Sequence, residues 1–210
     1  AQQSLAHDID RPFTLISAPA GFGKTTLLSE WLRVTPRLST WLTLDEHDSD
    51  PVTFLTYLIA AVRAIFPDAC PETRALLQLP NLPPLPAVYA TLNNEIDSLA
   101  ESSKLPAGQR FILVLDDYHR IGDQDVHQII NELLLHPPRS LHLAISTRYD
   151  PPLSLHSLRA RGELVEIRSN TLRFTSAEVA AFLQKALRVP VDEAMVTQVE
   201  KITEGWAAGL

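Results

Sequence analysis

The stretch Phe13-Thr-Leu-Ile-Ser-Ala-Pro-Ala-Gly-Phe-Gly-Lys-Thr-Thr26 decides the fold. Its first five residues form an apolar run rich in β-formers, which reads as a buried strand ending at Ala18-Pro19. Lys24 to Leu32 reads as a helix, with Leu27, Leu28, Trp31 and Leu32 at helical spacing. Between them lies a glycine-containing turn. The phosphate-loop pattern G-x-x-x-x-G-K-[ST] is met at every fixed position except the first, where Ala18 replaces glycine.

The residue types follow from the chemistry of a polyphosphate. Such a ligand needs several backbone N–H donors pointing inward, and glycine lets the chain approach closely enough. The positive end of the following helix adds to this. The loop residues Ala20, Gly21, Phe22, Gly23, Lys24, Thr25 and Thr26 are therefore the candidate nucleotide-binding set. Lys24 supplies a mobile positive charge for the outer phosphates, and Thr25 supplies a hydroxyl for a magnesium ion bound with the nucleotide. A chance lysine in a glycine turn is the bland alternative, and the strand before and the helix after argue against it.

Outward from the loop, strands and helices alternate. Thr40 to Leu44 reads as a second strand, and Pro51 opens a helix behind an Asp50 cap. Leu79 to Pro86 holds four prolines and reads as an extended loop. A helix is expected from about Ala87 to Glu101. Phe111 to Leu115 is the most continuous apolar run, as a central parallel strand buried on both faces requires. Val126 to Leu135 reads as a helix, and Leu141 to Ile145 and Leu164 to Ile167 as strands. This order predicts an α/β three-layer sandwich of the P-loop NTPase kind, with a parallel sheet covered on both faces. Two helical patterns with no strand between them follow, Ser176 to Leu187 and Val191 to Thr203. The expected organisation is thus a nucleotide-binding domain over 1–170 and a truncated helical subdomain over 171–210.

Two further segments carry candidate chemistry. The run Phe111 to Leu115 ends in Asp116 and Asp117, at the sheet edge where ligands bind in open α/β folds. Asp116 is assigned to magnesium, and Asp117 is a candidate to orient or activate the attacking water. A solvated acidic turn remains open as the other reading of Asp117. Arg148 ends the run Leu141 to Thr147. It would lie near the γ-phosphate if its strand neighbours both the phosphate-loop strand and the Asp116 strand, and a guanidinium pairs strongly with phosphate. Arg159 and Arg161 face either a partner domain or, the favoured reading, solvent, and His119 on its turn is expected as polar surface.

Composition narrows the class. The 210 residues are 45% hydrophobic and 20% charged, an ordinary globular balance. Eighteen Lys and Arg against 25 Asp and Glu give a net charge of −7. With no basic run, the segment is a poor direct nucleic-acid binder. A single cysteine, Cys70, excludes an internal disulfide or a cysteine metal cage. No run approaches the roughly 18 apolar residues of a membrane span, so a cytoplasmic location without membrane contact is expected. The missing initiator methionine and the apolar end Glu204-Gly-Trp-Ala-Ala-Gly-Leu210 lead to the expectation of a piece cut from a longer protein.

Taken together, the segments SAPAGFGKTTLLSEW, TWLTLDEHDSDPVTFLTYL, LVLDDYH, ISTRYDPPLSLHSLRARGEL, LRFTSAEVAAFL and TEGWAAGL resemble, in order, the nucleotide-binding region of large ATP-dependent transcriptional activators of the MalT and LuxR-like kind. These belong to the signal-transduction ATPases with numerous domains. The resemblance implies ATP and ADP, rather than GTP, as ligands with Mg2+, and a slow ATPase acting as a switch. It also implies self-association in the ATP state of the full-length protein and DNA contact only through a C-terminal domain beyond this sequence. A Gly-x-Pro near the helical subdomain, part of the family pattern, is not found; Val189-Pro190 is a poor substitute. Only Ala1 to Arg11 precedes the first strand, where family members carry a segment that helps hold the base. Adenine contacts therefore stay unassigned. Two other classes stay open: a metabolic or transport P-loop enzyme such as a small-molecule kinase, and a non-hydrolysing nucleotide-binding module.

Overall fold

A computed structural model describes residues 11–102, 104–187, 192–203, 206 and 209. Five strands form one all-parallel sheet: β1 (Phe13–Ser17), β2 (Ser39–Thr43), β3 (Phe111–Asp116), β4 (Leu141–Thr147) and β5 (Leu164–Arg168). Their spatial order is β2-β3-β4-β1-β5. Every residue of β1, β3 and β4 is buried, as central parallel strands covered on both faces require.

Alternate side chains of the strands serve two separate cores. Phe13, Leu15, Phe111, Leu113, Leu115, Leu143 and Ile145 face the larger one. It is completed by α2 (Pro51–Ile65), α4 (Leu85–Ser98), α5 (Gln124–Leu135) and α6 (Leu155–Arg161). Ile16, Ile112, Val114, Ala144 and Ile167 face the other side, where α1 (Lys24–Val34) lays down Leu28 and Trp31. The three-layer sandwich read from the sequence is thus present.

Several boundaries differ from the expectation. The proline-rich stretch ends early, because Leu85-Pro86 already form the first turn of α4, where a proline costs no hydrogen bond. Two short helices, α3 (Pro71–Leu77) and α6, fall in segments to which the sequence assigned no element. The start of α3 is satisfied from elsewhere: the Glu95 carboxylate on α4 accepts from the Glu72 N–H at 2.8 Å and the Thr73 N–H at 3.0 Å. A cap supplied by another helix leaves no local sequence signal.

Beyond β5, the single turn α7 (Ser169–Leu172) leads to α8 (Ser176–Leu187) and α9 (Glu193–Thr203). These two helices share a small core of Val179, Leu183 and Val196. Val189-Pro190 and most of the TEGWAAGL segment lie outside the described residues.

Candidate functional site

The strand order brings β1, β4 and β3 side by side, so their carboxyl ends share one edge of the sheet. After β1 the chain turns through Gly21 (φ 79°) and Gly23 (φ 72°), left-handed conformations that glycine enters without a Cβ penalty. The N–H of Leu27 then donates to the Gly23 carbonyl at 2.8 Å and starts α1. Lys24 is only 7% exposed and folds back over the loop, its ammonium donating to the carbonyls of Ala18 at 2.8 Å and Pro19 at 3.1 Å. Burial lowers its pKa, opposed first by the nearby Asp117 charge. Thr25 and Thr26 sit exposed on the first turn of α1.

Asp116, the last residue of β3, is 4% exposed. One of its oxygens accepts the Thr25 hydroxyl at 3.0 Å; the other accepts the Ser146 hydroxyl of β4 and the Asp117 N–H at 3.1 Å. Asp117 adopts a left-handed conformation (φ 58°, ψ 34°) that Asp tolerates better than most residues. Strained backbone of this sort collects at functional sites. Its carboxylate is turned out of the strand and one-third exposed.

Arg148 follows β4 directly and is exposed. It makes no hydrogen bond or ion pair among the described residues, yet its charge lowers the pKa of both Lys24 and His119. The condition attached to Arg148 in the sequence, a strand lying between β1 and β3, is therefore met. All the candidate site residues, Ala20 to Thr26, Asp116, Asp117 and Arg148, gather on elements that end at this edge.

The surface placement expected for His119 is wrong. Its side chain is 9% exposed, covered edge-on by the Tyr149 ring, whose hydroxyl donates to the His119 carbonyl at 2.7 Å. The His119 Nδ1 is buried without a hydrogen-bond partner among the described residues and lies 3.7 Å from an Asp117 oxygen. Burial pulls the pKa of this ring down. Arg159 and Arg161 keep partial exposure but are engaged. Arg159 forks onto Glu166 with two contacts of 2.8 Å, and Arg161 meets Glu163 at 2.7 Å. A further contact left no sequence signal: the Trp206 indole N–H donates to the Ala20 carbonyl at 3.0 Å, tying the far end of the chain to the phosphate loop.

The donor set at Thr25 and Asp116 is all oxygen, one hydroxyl and one carboxylate already in contact. That suits magnesium, which takes one or two protein oxygens and completes its shell with phosphate and water. Among the described residues no three His, Cys, Asp or Glu side chains cluster as a self-contained metal cage.

The chain shares its family and its fold with known proteins. The AAA ATPase domain family matches residues 3–146. The HTH-type transcriptional regulator MalT of Yersinia enterocolitica is 34% identical over 94% of the chain, which spans 21% of that protein. MalT of Vibrio cholerae is 30% identical over 98% of the chain, which spans 22% of it. Among solved structures, a Signal Transduction ATPase with Numerous Domains carrying a tetratricopeptide repeat sensor, from Pyrococcus horikoshii, aligns over 98% of the chain and 28% of its own. Its TM-score is 0.62 at 13% identity, a likeness of fold. Nucleotide binding is what this family and this loop share, and the chain belongs to the AAA ATPase domain family as a MalT-like nucleotide-binding region.

Proposed function

We propose that the chain is the ATP/ADP switch region of a multidomain transcriptional regulator, with slow ATP hydrolysis that resets the switch. The observation that carries this reading is the contact between Thr25 and Asp116, which joins the phosphate loop to the acidic strand end as a magnesium nucleotide requires. In this reading the loop N–H groups and Lys24 hold the β- and γ-phosphates, and Thr25 with Asp116 hold Mg2+. The ion, when bound, neutralises charge on the phosphate oxygens. Asp117 orients a water and accepts its proton as the water attacks the γ-phosphorus. The bond between that phosphorus and the ADP oxygen breaks, and Arg148 stabilises the charge that develops. Arg148 thereby also reports whether a third phosphate is present.

The relatives named above are transcriptional regulators, which supports DNA contact through another domain, self-association in the ATP state and a cytoplasmic location. No helix among the described residues is long and apolar enough to cross a membrane. The test is the mass of the intact protein by light scattering with ADP, ATP or a non-hydrolysable ATP analogue. The expected result is monomers with ADP and larger species with ATP, persisting in Asp117→Asn. One mass in every nucleotide would favour a non-switching binding module.

A further inference from the structure

The connection from β4 to α6 is held at more points than a surface turn needs. The Ala18 N–H donates to the Thr147 carbonyl at 3.2 Å, and the Thr147 hydroxyl donates to the Tyr149 carbonyl at 2.8 Å. The Tyr149 hydroxyl reaches back to His119 beside the acidic pair. Asp150 then closes the clamp. Its carboxylate accepts the Ser17 hydroxyl at 3.0 Å and both terminal nitrogens of Arg168, one of them at 3.1 Å. Arg168 also contacts Glu166 at 2.5 Å, and Glu166 holds the fork of Arg159. A proline at 151 disfavours helical backbone at Asp150.

One carboxylate thus joins three places: the last residue of β1 before the phosphate loop, the last residue of β5, and the turn that carries Arg148. Asp150 and Arg168 are 49% and 35% exposed, and an isolated pair at such exposure contributes little to stability. A two-pronged pair that also takes a hydroxyl from the phosphate-loop strand is suited instead to fixing geometry. Arg148, which has no side-chain partner among the described residues, takes its position from this clamped backbone.

We propose that Asp150 is a positioning residue for the nucleotide chemistry: held by Ser17 and Arg168, it aims Arg148 at the outermost phosphate. The proposal rests on the reading of Arg148 as the γ-phosphate contact. Asp150 acts through Arg148 and touches no phosphate itself, so its effect falls on turnover rather than on the shared binding of ADP and ATP.

The experiment measures ATP turnover, KM, ADP affinity and melting temperature in the intact protein. The variants are Asp150→Asn, Arg168→Lys, Arg148→Ala and the double variant Asp150→Asn/Arg148→Ala. The expected result for Asp150→Asn is a kcat lower by roughly tenfold to a hundredfold, with ADP affinity at the wild-type level and the melting temperature only slightly lower, as befits an exposed pair. Arg168→Lys keeps the charge and loses the fork, so it falls between wild type and Asp150→Asn. The double variant is no slower than Arg148→Ala alone, because the two residues act in series. Wild-type kcat in Asp150→Asn, or additive losses in the double variant, overturns the proposal. So does a joint loss of ADP affinity and melting temperature in Asp150→Asn, which marks a merely structural role. Wild-type turnover in Arg148→Ala overturns the reading of Arg148 itself and the proposal with it, a result distinct from failure at Asp150 alone.

Discussion

The Thr25 hydroxyl donates to the Asp116 carboxylate at 3.0 Å, across 91 positions of sequence, and this contact joins the two halves of the nucleotide site. Both groups suit the same magnesium ion, so removing either one acts on the same term. Asp116→Asn keeps the shape of the side chain and removes its charge. We expect wild-type folding and a loss of the magnesium dependence of ATP affinity, measured by titration with and without EDTA. Unchanged magnesium dependence in both Asp116→Asn and Thr25→Ala would move the ion away from this pair.

The His119 side chain is largely buried, 3.7 Å from Asp117, and its Nδ1 has no hydrogen-bond partner among the described residues. At that distance a closer approach would make it a partner of the Asp117 carboxylate. His119→Ala is expected to slow ATP hydrolysis by about tenfold or more while leaving ADP affinity near wild type. Single-turnover hydrolysis beside calorimetry separates the two. A parallel loss of both quantities points to a packing role for the ring.

Acid sensitivity has a buried source. The Tyr118 hydroxyl and His127 Nδ1 meet at 2.9 Å inside the core, and burial lowers the His127 pKa below its ordinary 6.5. Above pH 6.5 the ring is neutral in folded and unfolded chains alike, and it contributes no pH dependence. As pH falls below 6.5 the unfolded chain takes up a proton that the folded chain refuses, so stability drops until the lower folded pKa is reached. His119 adds a shift of the same sign. Asp150 and Glu166 are held below ordinary values of 3.8 and 4.5, so their losses begin at more acid pH. Urea unfolding at pH 7.5, 6.0 and 5.5 is expected to show the decline, with a shallower slope in His127→Gln. An equal slope in that variant assigns the effect elsewhere.

Trp206 touches the phosphate loop through the Ala20 carbonyl and remains 40% exposed. Nucleotide entering the loop changes the surroundings of that indole. Tryptophan emission is therefore expected to shift on addition of ADP or ATP, and the shift is expected to vanish in Trp206→Phe. The same response in Trp206→Phe assigns it to Trp31 or Trp41.

The parts of the fold that the sequence disclosed are those in which one local cause dominates. FTLIS and FILVL are buried on both faces, so they read as strands without ambiguity, and Asp50-Pro51 marks a helix start that the structure keeps. The phosphate loop was legible because its chemistry lies in consecutive residues. Arg148 could be assigned only conditionally, since its place depends on β4 lying between β3 and β1. The hidden features depend on residues distant in sequence. His119 is buried by Tyr149, the start of α3 is capped by Glu95, and Asp150 meets Arg168 only once β5 is in place. The short helix α6, three residues beyond Pro151-Pro152, carries no helical stripe long enough to read from sequence.

Binding of adenine nucleotide by this loop through Lys24 is measured by calorimetric titration of ATP, ADP and GTP into wild-type protein and Lys24→Ala in magnesium buffer. ATP and ADP are expected to bind over GTP, with affinity in Lys24→Ala lower by about tenfold to a hundredfold, as befits loss of a charged hydrogen-bond donor to phosphate. Equal affinity in Lys24→Ala, with the variant folded, would contradict it.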